Sequence, residues 1–149
     1  VVGQGSAEAL ARYLSVSLTG IGQPASSPGI ASPELADALL RAGEDTVLIG
    51  VSLVATNDRV ARVLDRGRRQ GARTVALSRS PISPTAQMAE FALVLGGAED
   101  ESGLVGGALM VLADALLHGL RAQVSEDDAQ YAERLESVRE YVLTGHEAH

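Results

Sequence analysis

The sequence contains no cysteine, which excludes disulfide bonds, thiolate metal sites and a cysteine nucleophile. Aromatic residues make up only 3% of the chain, so leucine, valine, alanine and isoleucine have to build the core. The longest apolar run, residues 103–113, ends at Asp114 and falls short of the roughly 20 residues that a membrane span needs. No signal peptide is visible either. We therefore expect a cytoplasmic protein with no membrane partner.

Basic residues are outnumbered by acidic ones. Twelve Lys/Arg residues stand against 19 Asp/Glu residues, which gives a formal net charge of −7, and no basic block stands out beyond Arg66, Arg68 and Arg69. A surface that binds nucleic acid has to attract phosphates, so an acidic chain is a poor candidate. The composition therefore argues against direct contact between these residues and DNA or RNA.

No set of metal-binding side chains is visible. His118 lies on a predicted helix, and His146 and His149 lie at the end of the chain, where we expect fraying. Because zinc sites are built mainly from cysteine and histidine, a metal here would have to be held by scattered carboxylates. The sequence predicts neither a metal site nor a cofactor.

Apolar strands alternate with amphipathic helices along the 149 residues, which are one domain's worth of chain. Short apolar strands separated by helices are typical of a parallel sheet that is covered on both faces. The pattern therefore predicts an α/β fold. The predicted strands are Val1-Val2, 46–51, 74–77 and 91–95, with a short strand near Gly29-Ile30, and the predicted helices are about 9–20, 33–43, 57–70, 84–89, 103–123 and 126–143.

Local signals mark several helix ends. Ser32 followed by Pro33 has the pattern of an N-cap with proline at the first helical position. Asn57 can cap the next helix, and Gly71 is a natural residue to end it.

Two helices are candidates for packing against another subunit. Tyr131, Leu135, Val138 and Val142 form one stripe of the last helix, which predicts packing along one face, on its own domain or on a partner. The glycine-rich helix 103–117 permits close backbone approach and is the second candidate.

Three loops follow predicted strands, at residues 3–7, 50–57 and 78–84. The carboxyl ends of parallel strands meet at one edge of the sheet, and ligands of open α/β sheets lie off that edge. The three loops therefore predict a pocket there. The alternative is that they only connect elements, because every doubly wound domain has loops at this edge.

These loops resemble a known family. Gly3-Gln4-Gly5-Ser6, then DTVLIGVSLVATNDRV at 45–60, then GARTVALSRSPISPTAQMAEFALVL at 71–95, resemble the sugar isomerase (SIS) domain. The likeness is greatest to the effector domain of RpiR-type bacterial transcription regulators. It covers about residues 1–122, which we interpret as the core of a single domain over 1–149.

The resemblance implies a three-layer, doubly wound, parallel five-stranded sheet in flavodoxin-like order, with a phosphosugar held by serine and threonine hydroxyls. It also implies a homodimer or higher homo-oligomer in which helices pair and a neighbour completes the pocket. In RpiR-type regulators a DNA-binding domain precedes the SIS domain. Val1-Val2 is short for a strand expected to run about five residues, so we expect the natural protein to continue upstream.

The family's phosphate loop has the pattern S-x-S-G-x-T. Ser52 matches its first serine, whereas Val54, Ala55 and Asn57 replace its second serine, its glycine and its threonine. In the first loop Ala7 replaces a serine. Each lost hydrogen bond to a charged group costs about 1.5–3 kcal/mol, so the phosphate loop is in part degraded. The ligand-binding residues that the resemblance implies are Gly5, Ser6, Ser52, Thr56, Asn57, Ser78, Ser80 and Ser83.

Three functions remain open. The chain can be the ligand-sensing domain of a regulator, which we favour, an isomerase, or a dimerisation module that has lost its ligand. Isomerisation needs a base beside a carbonyl, and Glu101, in the acidic group 99–101, is the best candidate. Without isomerase activity we expect no catalytic residue, and Arg79 either meets an anionic ligand or is solvated.

Overall fold

The computed structural model describes residues 1–53, 58–95 and 105–145, which form a parallel sheet with helices on both faces. The sheet order is β1-β2-β3-β4, and every neighbouring pair is parallel. This confirms the predicted α/β class with a parallel sheet. The strands are β1 Val2–Gly3, β2 Val47–Ser52, β3 Arg73–Ser78 and β4 Phe91–Val94, and the helices are α1 Ala7–Gly20, α2 Pro33–Arg41, α3 Asp58–Arg68, α4 Pro84–Met88, α5 Val105–Arg121 and α6 Glu126–Thr144.

The alternation of side chains along β2 and β3 divides the core into two faces. Ile49, Val51 and Leu77 point to the face that α1 and α5 cover, where a continuous apolar cluster is buried. Leu48 and Ala76 point to the opposite face, against α2, α3 and α4. The protein therefore has three layers, and its core lies on both sides of the central strands.

The predicted strand near Gly29-Ile30 is wrong, and the sheet has four strands among the described residues. Residues 23–29 form no regular structure and residues 30–31 form a turn. Pro24 and Pro28 have no backbone N–H to contribute to a ladder. The segment carries the chain from α1 on one face to α2 on the other, past the edge of β1. It contacts that edge through a hydrogen bond from the Val1 backbone nitrogen to the Ser26 carbonyl oxygen, at 2.8 Å.

Local chemistry explains the helix ends. The Ser32 hydroxyl accepts a hydrogen bond from the Leu35 N–H at 3.2 Å, which confirms it as the N-cap of α2. Gly71 has φ +95°, a conformation that favours glycine, and it follows α3 as predicted. The predicted cap Asn57 lies outside the described residues.

The last helix, α6, stands apart from the core. A capping box starts it, because the Ser125 hydroxyl accepts from the Asp128 N–H while the Asp128 carboxylate accepts from the Ser125 N–H. No residue of α6 is buried. Of the predicted apolar stripe, Leu135 is half-buried, whereas Val138 and Val142 are exposed. None of the helices in the described part of the chain is both long enough and apolar enough to cross a membrane.

Candidate functional site

The loops after β1, β2 and β3 meet at the carboxyl edge of the sheet. Ser52 and Ser78 end β2 and β3 and are paired in register. Gly3 is paired with Val51, so the loop that follows β1 lies beside the end of β2. The Leu95 N–H, just past β4, donates to the Ser78 carbonyl oxygen at 3.1 Å. Hydroxyl groups from two adjacent strands are therefore side by side at this edge.

The first loop leads directly into the N-terminus of α1. Gly5 has φ +63°, and a Cβ atom on Gly3 would lie 2.5 Å from the Ala7 carbonyl oxygen, so both positions favour glycine. Ser6 is exposed, and its hydroxyl does not cap the helix. An anion is favoured here by the helix dipole and the hydroxyl, although Glu8 in the first turn opposes it.

The second loop is described only at its start. Ser52 is 1% exposed, and its neighbour Leu53 packs against the cluster beneath α1 and α5. The remaining candidates in this loop, Thr56 and Asn57, lie outside the described residues, together with the replaced positions at 54 and 55. Ser52 therefore marks the floor of the site.

The third loop is held by its own serines. The hydroxyl oxygens of Ser78 and Ser83 lie 2.7 Å apart, and each residue is 1% exposed. The Ser83 hydroxyl also accepts from the Ala86 N–H at 3.2 Å, which caps α4. The Ser78 hydroxyl accepts from the Ser80 N–H at 3.3 Å. Both predicted ligand residues are thus already hydrogen-bonded inside the protein.

Ser80 and Arg79 are the more accessible polar residues of the third loop. Both are half-buried, and the Ser80 hydroxyl accepts from the Ile82 N–H at 3.4 Å, which leaves its O–H available to a further acceptor. Arg79, between Ser78 and Ser80 in the sequence, adds a positive charge. A guanidinium group and a hydroxyl are suitable donors to phosphate.

The candidate proton-transfer groups are not part of the described edge. Glu101, with the other acidic residues at 99–100, lies outside the described residues. His118 lies well along α5, in a surface cavity of about 270 Å³ that Tyr13, Asp114 and Arg121 also line. The histidine is therefore placed between helices rather than on the loops.

The sequence did not predict the contact between Tyr13 and Asp114, because the two residues are 101 positions apart. The Tyr13 hydroxyl donates a hydrogen bond to the Asp114 carboxylate, and this bond is the main cause of a raised pKa of Tyr13. No short motif carries such a pair. The contact joins α1 to α5 at the surface of their shared layer.

No group of three or more histidine, aspartate or glutamate residues within 1–53, 58–95 and 105–145 is arranged to hold a metal ion. The polar groups at the carboxyl edge are hydroxyls, backbone N–H groups and a guanidinium. They are suited to an anion.

A family model described as SIS domain matches residues 1–119. A comparison with curated proteins gave no match. Among solved structures, the sugar isomerase domain of an RpiR transcription factor from Sphaerobacter thermophilus is 24% identical, with a TM-score of 0.74, and the match covers 91% of this chain and 75% of that one.

Two similar structures contain sugar phosphates. The Vibrio vulnificus NanR protein complexed with ManNAc-6P is 16% identical, with a TM-score of 0.69, and the match covers 97% of this chain and 56% of that one. The Escherichia coli CFT073 protein c3406, in complex with a phosphosugar, is 19% identical, with a TM-score of 0.68, and the match covers 87% and 73%. At these identities the three likenesses show a shared fold.

Proposed function

Because the chain belongs to the SIS domain family, we propose that it is a ligand-sensing domain that binds a sugar phosphate or a related anionic metabolite. In this proposal it is the effector part of an RpiR-like bacterial regulator in the cytoplasm. An upstream domain makes any contact with DNA, and ligand binding alters how two copies are arranged.

The observation that carries the proposal is the set of anion donors at the carboxyl edge. The N-terminus of α1 and the uncommitted Ser6 hydroxyl come from the first loop, and Arg79 and the Ser80 hydroxyl come from the third. Phosphate binding needs several such donors at once. The complexes of NanR with ManNAc-6P and of c3406 with its phosphosugar support a phosphorylated sugar as the ligand class.

His118 is not placed to act as a base at the carboxyl edge. A general base has to be within hydrogen-bond reach of the proton it removes. The loops at the edge offer hydroxyls and a guanidinium, whereas His118 lies in the cavity between α1 and α5. The described part of the site is therefore suited to holding a ligand.

We also propose that two copies form a homodimer through the outer face of α1 and α5. Val16 on α1 and Val111 on α5 are 64% and 68% exposed, and Gly107, Ala108 and Ala115 on α5 are exposed beside them. Small residues let two helix backbones approach closely, and paired copies would cover the valines. Light scattering of the chain should give the mass of a dimer, and Val16→Glu should lower it.

A thermal-denaturation screen tests ligand binding. The chain is heated with sugar phosphates, amino-sugar phosphates, inorganic phosphate and the corresponding unphosphorylated sugars. A ligand at one hundred times its dissociation constant adds about 2.7 kcal/mol, which at roughly 2–4 °C per kcal/mol raises the Tm by about 5–11 °C. We expect this shift with one phosphorylated sugar and none with its unphosphorylated form.

Two variants locate the site. Ser6→Ala and Ser80→Ala should each weaken binding by about tenfold or more, since a hydrogen bond to a charged group contributes about 1.5–3 kcal/mol. Ser137→Ala, on the exposed side of α6, is the control and should bind like wild type. If no compound shifts the Tm, a dimerisation module without a ligand would be favoured instead. The hydroxyls of Ser78 and Ser83, which are hydrogen-bonded to each other, are consistent with that alternative.

The isomerase alternative rests on the family and on Glu101 as the base. Turnover of a panel of aldose and ketose phosphates that disappears in Glu101→Gln would establish it. A chain that binds a sugar phosphate but converts none of the panel is a sensor.

A further inference from the structure

Charge is divided unevenly along the chain. Residues 58–79 hold seven arginines and two aspartates, a net charge of +5, so the remaining residues carry −12 of the total of −7. This basic segment contains α3 and β3. The positive charge of this acidic protein is therefore concentrated in one segment of the chain.

Three of the four arginines of α3 form a ridge on its outer face. Arg59, Arg62 and Arg66 are spaced i, i+3 and i+7, and we call them the arginine ridge; the buried residues of the helix, such as Val60 and Leu64, face the sheet. The Arg62 side chain is 66% exposed, even though it pairs with Asp58. Arg66 is exposed and has no ion-pair partner among the described residues. Arg66 therefore keeps a positive charge that its own helix does not neutralise, and the Arg62 side chain stays largely exposed.

An apolar groove runs beside the arginine ridge. It has a volume of about 520 Å³ and lies between α2 and α3, with Ile30, Leu39 and Val63 in its walls and Arg59 and Arg62 at its rim. A partner suited to this surface presents carboxylates next to an apolar side chain.

Helix α6 presents such a surface. Glu133, Glu136 and Glu140 repeat the spacing i, i+3 and i+7, and we call them the glutamate ridge. Glu136 is paired with Arg139 at 3.4 Å, whereas the other two carboxylates form no ion pair within the described part of the chain. Leu143 follows Glu140 by three residues, on the same side of the helix, and is 74% exposed. This acidic ridge therefore ends in an uncovered leucine.

The two ridges cannot meet within one copy. Helix α6 lies against α1, and its Asp128 approaches Gly22 so closely that a Cβ there would overlap the Asp128 carbonyl oxygen. Helix α3 packs on the opposite face of the sheet. Their charges are complementary only between molecules.

We propose that the glutamate ridge of one copy docks on the arginine ridge of a second copy, with Leu143 entering the groove beside α3. The two surfaces differ, so the contact is heterologous and can add a third copy. It buries one helix face against another, far less than the 1,200–2,000 Å² or so of a stable interface, and is therefore weak and sensitive to salt. It is separate from the α1/α5 surface and does not require a sugar phosphate.

Sedimentation equilibrium of the chain over a range of concentrations tests this contact at about 20 mM and about 500 mM salt. At low salt the average mass should rise with concentration above that of the basic unit, monomer or dimer, and the rise should vanish at high salt, because the Debye length shortens severalfold. A mass that is independent of concentration at low salt would overturn the proposal.

Charge reversal identifies the surfaces. The triple variants Arg59→Glu/Arg62→Glu/Arg66→Glu and Glu133→Arg/Glu136→Arg/Glu140→Arg should each weaken association by about tenfold or more. A mixture of the two triple variants should associate again, since each supplies the charge that the other has lost. If circular dichroism shows both variants folded and their mixture still does not associate, the pairing is refuted. Arg68→Glu and Asp127→Arg each reverse a single charge off the ridges and should associate like wild type.

Discussion

Replacing Ser83 by alanine separates a structural role of the third loop from a ligand-binding one. The Ser83 hydroxyl caps α4 and also lies 2.7 Å from the Ser78 hydroxyl, in a site that is 1% exposed. Loss of an N-cap costs about 1 kcal/mol, and loss of a buried hydrogen bond costs about 1 kcal/mol more. The Ser78 hydroxyl is not left without partners, because it keeps its hydrogen bonds to the Ser80 backbone. The additional cost of losing the Ser83 hydroxyl beside it is therefore small.

Ser83→Ala should therefore lower the free energy of unfolding by about 2 kcal/mol. For a domain of this size, that lowers the Tm by about 4–8 °C. Urea denaturation measures the change, and Ser137→Ala on exposed α6 is the control and should unfold like wild type. The affinity for whichever sugar phosphate shifts the Tm of wild type should change by less than about twofold, because the hydroxyl is already committed.

A double-mutant cycle with Ser78→Ala sharpens the test. The pair shares one hydroxyl contact, so the double variant should lose less stability than the sum of the two single variants, by about 0.5 kcal/mol or more. Additive losses would show that the 2.7 Å contact contributes nothing. A tenfold loss of ligand affinity in Ser83→Ala with unchanged stability would refute the structural role altogether.

Two further predictions concern the attachment of α6 and the behaviour in acid. Gly22→Ala should release the start of α6, because Gly22 has φ +88° and a Cβ there would overlap the Asp128 carbonyl oxygen. Amide hydrogen exchange in α6 should therefore become faster. The control is Gly20→Ala, which has open space around its Cβ and should leave the exchange rate unchanged. The hydrogen bond from Arg73 lowers the pKa of Glu90 below its ordinary 4.5, so the pair stabilises the fold above about pH 4.5, and this stability is lost as the pH falls further. Glu90→Gln should flatten that acid decline only slightly, since solvent screens this exposed pair, and a wild-type decline that Glu90→Gln leaves unchanged would contradict the assignment.

The central strands and most helix ends could be predicted because their causes are local. Continuous apolar runs specified β2 and β3, and Ser32 and Gly71 marked helix ends through contacts within a few residues. The predicted fifth strand is wrong because the segment before Ile30 passes the edge of β1 with Pro24 and Pro28 in it, and proline has no N–H to contribute to a ladder. The sequence could suggest that hydroxyls gather at the carboxyl edge. It could not show that Ser78 and Ser83 bind each other, because that depends on how tightly the loop folds back on β3.

The two outer strands of the sheet, β1 and β4, differ in how well their open edges are protected. This difference determines where copies of the protein would aggregate under stress. At one side the segment containing Pro24 and Pro28 covers β1, so that edge is a poor template for another strand. At the other side β4 pairs only with β3 within the described chain, and its Phe91 is 53% exposed. Arg73 lies over the Phe91 ring at 5.5 Å and holds Glu90 beside it, which places charges of both signs next to the exposed apolar strand. Those charges act as gatekeepers against aggregation, and the edge of β4 is where their removal would have the greatest effect.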